Sequence, residues 1–415
     1  MEEKKYFPQT KKELQALCEN ENIYLGDIDT SKITDMSRLF LGSRRKDFSG
    51  IEKWNTSNVT DMSNMFFACE NFNHPINDWD VSKVTNMECM FAEAKSFNQP
   101  LDKWNVSNVE KMNHMFSEAT SFNQDIGNWD VSKVNGMFGM FCKAKSFNKP
   151  LNEWNMSNVE STAFMFTGAK FFNQPLDKWD MSNVKNMTGM FDGALAFNQP
   201  IGKWNTSKVL SMSGMFSDAK SFNQDISQWD MSNVQITHSM FSGASAFNQD
   251  ISKWNMSNVV NTVKMFANTD SFNQPINDWD MSKVEDASCM FNKAIAFNQP
   301  LDKWDVSNVK DMYGMFAVAK NFNQDITNWD TSNVKDMRGM FCDTYKFNQD
   351  VSKWDISKVE RMGLMFDKAK AFKQTLPEHW AAKAGYENPG KDKDVAKSSL
   401  KCNVVKQQKN CGMEM

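Results

Sequence analysis

The sequence predicts an α/β repeat solenoid: a right-handed, leucine-rich-repeat-like stack of about 13 coils of 25 residues. Three observations predict it. Thirteen of the 14 tryptophans stand 25 residues apart, from Trp54 to Trp354. Further rows keep the same period: a branched aliphatic three before each Trp (Ile51 to Val351), Ser three after it (Ser57 to Ser357), Val five after (Val59 to Val359), Met eleven after (Met65 to Met365), and Phe twelve and eighteen after (Phe66 to Phe366, Phe72 to Phe372). The array runs without a composition break, which overrides the several globular domains that 415 residues would otherwise suggest. A unit of this kind buries its apolar face only against its neighbours.

Taken in order, the first element is a cap. Thr10-Lys-Lys-Glu13 is a capping box followed by Leu14, Leu17 and Cys18, so residues 1–25 are expected to form a helical cap on the first coil. Residues 28–40 form a partial coil offset by one extra residue, and the solenoid is expected over 26–372. Within a coil, Ile251-Ser-Lys-Trp254-Asn-Met256 reads as a short parallel strand by its period of two. Val84, Met87, Met90, Phe91 and Ala94 then read as one stripe of a short, partly 3₁₀ helix. The Ser row would cap it, as in the capping boxes Ser107-Asn-Val-Glu110 and Ser282-Lys-Val-Glu285. Gly139, Gly189, Gly214, Gly314 and Gly339 fall inside that stripe and are expected to weaken the helix by roughly 1 kcal/mol each. The return leg is Phe-Asn-Gln-Asp/Pro, whose Asn73 to Asn348 are expected to form a ladder satisfying backbone groups at the corner.

After each Trp, Asn and Asp alternate from Asn55 to Asp280, expected to spread the carboxylates and set an amide donor between them. One oxygen per coil is too sparse for calcium. Leu376-Pro-Glu-His-Trp380 breaks the period by one; residues 373–383 are expected to be a C-terminal cap and 384–415 a flexible polar tail.

Written out, units such as FNQDISKWNMSNVVNTVKMF and FNQDITNWDTSNVKDMRGMF resemble the BspA-like leucine-rich repeat family, which includes the DUF285 repeats of bacterial surface proteins. The similarity covers about residues 26–380. It implies a leucine-rich-repeat-like solenoid, no catalytic residues, and a surface or adhesion role through protein–protein contacts.

Composition narrows function by exclusion. A formal charge of −4, with Lys and Arg nearly balancing Asp and Glu, offers no basic field for nucleic acid. No apolar run is long enough to span a bilayer, and MEEKKYFPQTKKELQ reads as no signal peptide. Cys89 and Cys289 share a repeat position, as do Cys142 and Cys342. Each pair is eight coils apart, about 38 Å at ~4.8 Å per coil, so these thiols are expected to stay reduced. Only Cys402 and Cys411 read as able to pair. Reduced thiols and the missing leader favour the cytoplasm, whereas the family resemblance favours the cell surface.

His74, His114, His238 and His379 fall in different coils, and none of the C-x-x-C, H-E-x-x-H, G-x-S-x-G or P-loop signatures occurs. No enzyme, metal or cofactor is therefore expected. The expectation is a non-catalytic protein-binding or adhesion scaffold, a monomer with a protein partner; the alternative is a structural or self-assembling rod. Function should lie where the repeat is broken. Thr162, Thr237, Thr262 and Ala287 replace the first Met of the stripe, while Phe138, Phe164, Phe171, Leu195, Leu210, Ile236, Val260 and Val263 stand at usually polar positions. Two readings follow: Ile236 or Val263 fills the space left by Met, or Phe138, Phe164, Leu195, Leu210, Ile236 and Val260 form a protein-binding patch on the helical face.

Overall fold

The structure, a computed structural model, describes residues 4–384. The expected tail lies outside the described residues apart from Ala384, and so do Cys402 and Cys411. The chain divides into two compact units, Met1–Asn233 and Val234–Met415, and each is a repeat solenoid in its own right.

Within a coil the backbone is neither strand nor helix. The expected strand Ile76–Trp79 is a turn, closed by the Trp79 N–H on the Ile76 carbonyl at 3.1 Å, and a second turn joins Val84 to Val81 at 2.9 Å. Parallel pairing sits two residues after the Val row, as isolated bridges such as Asp61 to Asn86 in the first unit and Asn261 to Asp286 in the second. The expected helix is a run of nested turns. Met65, Phe67 and Cys69 donate to the carbonyls three residues back, at 3.0–3.2 Å, while Met62, Asn64, Phe66 and Ala68 donate to Asn86, Glu88, Met90 and Ala92 of the next coil, at 2.8–3.0 Å. A helix would spend every N–H on its own carbonyls; here alternate N–H groups are spent on the neighbour. Such turns also return a side chain inward every three or four residues, so Val84, Met87, Met90, Phe91 and Ala94 are all buried as expected, by a different backbone.

The turns need left-handed residues, because positive φ at the third position defines a type II turn. Two rows supply them, from Asn64 (φ 56°) to Leu364 (φ 62°) and from Ala68 (φ 54°) to Lys368 (φ 56°). Gly139, Gly189, Gly214, Gly314 and Gly339 all lie in the first row. The glycines taken for weak points of a helix are thus the residues best suited to the fold.

The core is a set of aromatic columns. In the first unit Trp54 and Trp79 stack at 6.3 Å and Trp179 and Trp204 at 6.4 Å; in the second, Trp254 to Trp354 stack at 6.1–6.5 Å. Phe66 stacks on Phe72 of its own coil at 3.8 Å and on Phe91 of the next at 5.6 Å. Along the columns the indole N–H reaches a carbonyl one coil back, as Trp104 Nε1 does on Ile76 at 3.0 Å and Trp304 Nε1 on Ile276 at 2.8 Å. A buried indole needs such a partner.

Polar rows close the corners. The Asn ladder is present: Asn73 Oδ1 accepts the Asn98 N–H at 2.9 Å and Asn248 Oδ1 that of Asn273 at 2.9 Å. The Asn/Asp row after Trp does something other than expected. Asn55 Oδ1 accepts the Ser57 N–H at 3.1 Å and Asp130 Oδ1 that of Ser132 at 3.0 Å, so each caps its own turn and none caps a helix.

The ends are held by cations on carbonyls. Helix α1 (Lys11–Glu19) starts at the expected capping box, Thr10 Oγ1 accepting from the Glu13 N–H at 3.3 Å, and buries Leu14 and Cys18. At its C-terminus the buried Arg45 donates to the carbonyls of Cys18, Asn20, Ile23 and Asp47, where a positive charge complements the helix dipole. Helix α2 (Glu378–Ala384) buries Trp380. Lys383 Nζ donates to Ile356, Ser357 and Val359 carbonyls at 2.7, 3.1 and 3.0 Å, taking on Ser357 the role that Asn333 Nδ2 plays on Ser307 two coils inside.

Two predictions follow from this backbone. A Cβ on Gly214 would meet only Ser217 Cβ, at an ordinary contact distance of 3.9 Å, whereas a Cβ on Gly189 would meet the Phe164 ring at 2.7 Å. Gly214→Ala should therefore cost only the left-handed penalty, about 1–2 kcal/mol, and Gly189→Ala clearly more, read by chemical denaturation. Asp130 is held below the usual carboxylate range by the Ser132 hydroxyl and N–H. Its contribution is present above the ordinary pKa and lost as pH falls through the depressed one. Asp130→Asn keeps the turn cap through a weaker, neutral acceptor, so it should lower the melting temperature slightly at pH 7 and reduce the loss of stability on acidification.

Candidate protein-binding surface

The columns consume every interior side chain, leaving the outward rows for recognition. Phe138, Phe164, Leu195 and Leu210 belong to the first unit, Ile236 and Val260 to the second. Phe138 and Phe164 are half-buried and meet edge to face at 5.3 Å; His114 continues the zigzag against Phe138 at 5.0 Å. The row explains their fit: the His114 ring lies over Gly139 and the Phe164 ring over Gly189, positions where a Cβ would come within 2.5 and 2.7 Å. Burial holds His114 below the usual imidazole range, and its Nδ1 has no partner among the described residues.

Leu195 is half-buried, Leu210 is 46% exposed, and Ile236 and Val260 are each 39% exposed. Ile236 therefore does not fill the space left by Met; Thr162, Thr237 and Thr262 are themselves fully buried there. Thr237 and Thr262 hydroxyls donate to the Asn261 and Asp286 carbonyls at 3.2 and 3.3 Å, whereas Thr162 Oγ1 has no partner among the described residues. The six residues do not share a helical face, because their coils contain no helix: they stand on five rows of the repeat, Leu210 and Val260 sharing one. Sequence reasoning noticed Phe171 but left it out of the patch. At 64% exposure it is the most open large apolar side chain of the set, and its row holds Ser146 in the coil before and Ala196 in the coil after.

In the second unit the bridge row carries Asp286, Asp311 and Asp336. Asp336 is buried, with Arg338 on both its oxygens at 2.7–3.1 Å and Arg361 Nε at 3.2 Å. Arg338 also lies over the Tyr313 ring at 5.2 Å. Burial pushes Asp311 up, against the Tyr313 N–H that it accepts. This cluster is an ion-paired seam of the ladder. Among the described residues no three His, Cys, Asp or Glu are grouped to hold a metal ion, and no helix is long and apolar enough to cross a membrane.

The family described as "Mycoplasma protein of unknown function, DUF285" matches residues 9–117, 76–178, 99–202, 172–278 and 263–380. The chain belongs to the DUF285 family. The five overlapping matches follow from the 25-residue period, which lets the family pattern start on many coils. No curated protein matches the chain. Among solved structures, it is similar to the TLR13–ssRNA13 complex with a TM-score of 0.25 and 12% identity, over 85% of this chain and 55% of that one. It thus spans about half the length of that protein. A leucine-rich repeat protein of Leptospira interrogans follows with a TM-score of 0.17 and 7% identity, over 88% of this chain and 94% of that one. The plant peptide hormone receptor RGFR1 bound to RGF2 has a TM-score of 0.13 and 8% identity, over 89% and 91%.

The six cysteines among the described residues are thiols. Burial pushes both Cys69 and Cys89 up to about 12. At pH 8 both are neutral and poor nucleophiles. In this DUF285 protein they should alkylate with iodoacetamide far more slowly when folded than in guanidinium, as peptide mass mapping would show; equal rates would refute the burial.

Proposed function

We propose that the chain is a non-catalytic protein-binding or adhesion scaffold whose partner is a protein, held by apolar side chains that the ladder keeps out of the core. The finer architecture belongs to the same reading: a right-handed, leucine-rich-repeat-like stack of about 13 coils. One observation carries the function. Phe171 (64% exposed) and Leu210 (46%) in the first unit, and Ile236 and Val260 (39% each) in the second, stand outward on rows otherwise filled by small or polar residues. A rigid scaffold that holds aromatic and aliphatic groups in a polar surround supplies the anchors from which interface hot spots are made, without an ordering cost at binding. Within the first unit Phe138 and Phe164 pack edge to face, and Leu195 contributes from the row next to Phe171.

The test uses residues already found in the same rows, so that the variants fold. A protein captured by the full chain from cell-surface extract is purified, and its affinity is measured for Phe171→Ser/Leu210→Thr and for Ile236→Asn/Val260→Glu. At least one double variant should bind about tenfold more weakly or worse, equivalent to about 1.4 kcal/mol, with an unchanged melting temperature. Wild-type affinity in both would sink the proposal.

A further inference from the structure

The Asn and Asp that follow each Trp cap their turns equally well. Asn55, Asn105, Asn155, Asn205 and Asn255 Oδ1 accept the N–H groups of Ser57, Ser107, Ser157, Ser207 and Ser257 at 3.1–3.2 Å. Asp80, Asp130, Asp180, Asp230 and Asp280 do the same in the alternate coils, at 2.9–3.0 Å. Spreading of charge does not require the Asn either, because the second unit carries Asp280, Asp305, Asp330 and Asp355 in unbroken succession. The fold therefore gives the amide nitrogen nothing to do. All five Asn are exposed, and their Nδ2 atoms have no partner among the described residues.

The residue two places on gives these amides a chemical meaning. Asn55-Thr-Ser57, Asn105-Val-Ser107, Asn155-Met-Ser157, Asn205-Thr-Ser207 and Asn255-Met-Ser257 are Asn-x-Ser tripeptides, the acceptor pattern for N-linked sugar. One such tripeptide is a weak signal; five at the same position of alternate coils, each on an exposed turn, are a stronger one. At Asn55 the Ser57 hydroxyl itself lies on the amide, donating to Oδ1 at 2.8 Å. Two further Asn-x-Thr tripeptides lie off the row and show the contrast. Asn58 Nδ2 is spent on the Ser31 carbonyl at 3.0 Å, and Thr60 Oγ1 on the Thr34 carbonyl at 3.2 Å. Asn186 is half-buried on the bridge row, and its Thr188 hydroxyl pairs with Ser211 Oγ at 2.9 Å.

We propose that Asn55, Asn105, Asn155, Asn205 and Asn255 are acceptor sites for N-linked sugar, attached by a separate glycosyltransferase from a sugar–phosphate donor. In the transfer, Nδ2 bonds to C1 of the sugar as the C1–O bond to the phosphate carrier breaks. The phosphate leaves with the bonding electrons, and the Nδ2 proton passes to a base of the transferase. The attachment leaves the fold intact, because Oδ1 holds the turn and Nδ2 holds nothing. In the first unit the four sites stand about 10 Å apart, two coils at ~4.8 Å each, with an Asp coil between neighbouring sugars. The row is separate from the apolar surface proposed above, which includes none of these residues.

The experiment is site-resolved peptide mass mapping of the full chain purified from its native cells. Most of the five row Asn should carry added sugar mass, and Asn58 and Asn186 should carry none. A single hexose marks a soluble nucleotide-sugar donor, and a longer chain added as one block marks a lipid-linked donor. Ser57→Ala keeps the N–H that caps the turn and removes only the hydroxyl. It should abolish the sugar on Asn55, leave Asn105 modified and leave the melting temperature unchanged, whereas Ser57→Thr should retain the sugar. A row left mostly unmodified, modification of Asn58 and Asn186 equal to that of the row, or a sugar on Asn55 that survives Ser57→Ala overturns the proposal.

Discussion

The fold depends on what each tryptophan does to the coil before it. Its ring stacks on the previous indole at 6.1–6.5 Å, and its N–H reaches a carbonyl one coil back, as Trp354 Nε1 reaches Ile326 at 3.1 Å. The two requirements together fix both the distance and the register between coils. A ring displaced by one residue would lose the stack and bury an unpaired donor, which is costly in a dry interior. This is why thirteen tryptophans keep the period without a slip. The period changes only beyond them. The first coil carries one residue more, and Trp380, a residue late, is buried in α2 with its Nε1 unpartnered among the described residues.

Polar groups follow the same logic of dependence on a neighbour. The Asn73 side chain serves the Asn98 backbone, and Asn108 Nδ2 serves the Ser82 carbonyl at 2.8 Å while its Oδ1 takes Lys133 Nζ at 2.6 Å. A coil alone would leave all of these groups unsatisfied, so stability is a property of adjacent pairs. It also makes the ends special. Arg45 and Lys383 substitute single cations for missing coils, each taking several carbonyls at once.

Because the core is built of repeated columns, its residues are committed to packing and have no freedom to vary for function. Variation is confined to outward rows, where one coil can differ from the next without disturbing the stack. The His114–Gly139 and Phe164–Gly189 pairs show the mechanism: a large ring is accommodated where the following coil gives up its side chain. Recognition by such a protein is written in departures from the repeat.

The period, the buried rows, the start of α1 at Thr10 and the Asn ladder could all be read from the sequence, because each rests on local chemistry repeated many times. The backbone path could not. Val84, Met87, Met90 and Phe91 have a spacing that a helix and a run of nested turns share, and side-chain burial is the same in both. The glycine row from Gly139 to Gly339 held the missing clue, since an occasional glycine weakens a helix but a periodic one marks positive φ. Exposure was likewise settled in three dimensions. Ile236 and Val263 differ in sequence position by two places of the repeat, yet Ile236 stands outward and Val263 is half-buried, because the ladder sets the direction of each row. Sequence alone determined which residues pack coil on coil; only the tertiary structure decided which N–H groups turn to the neighbour, and hence which side chains face the solvent.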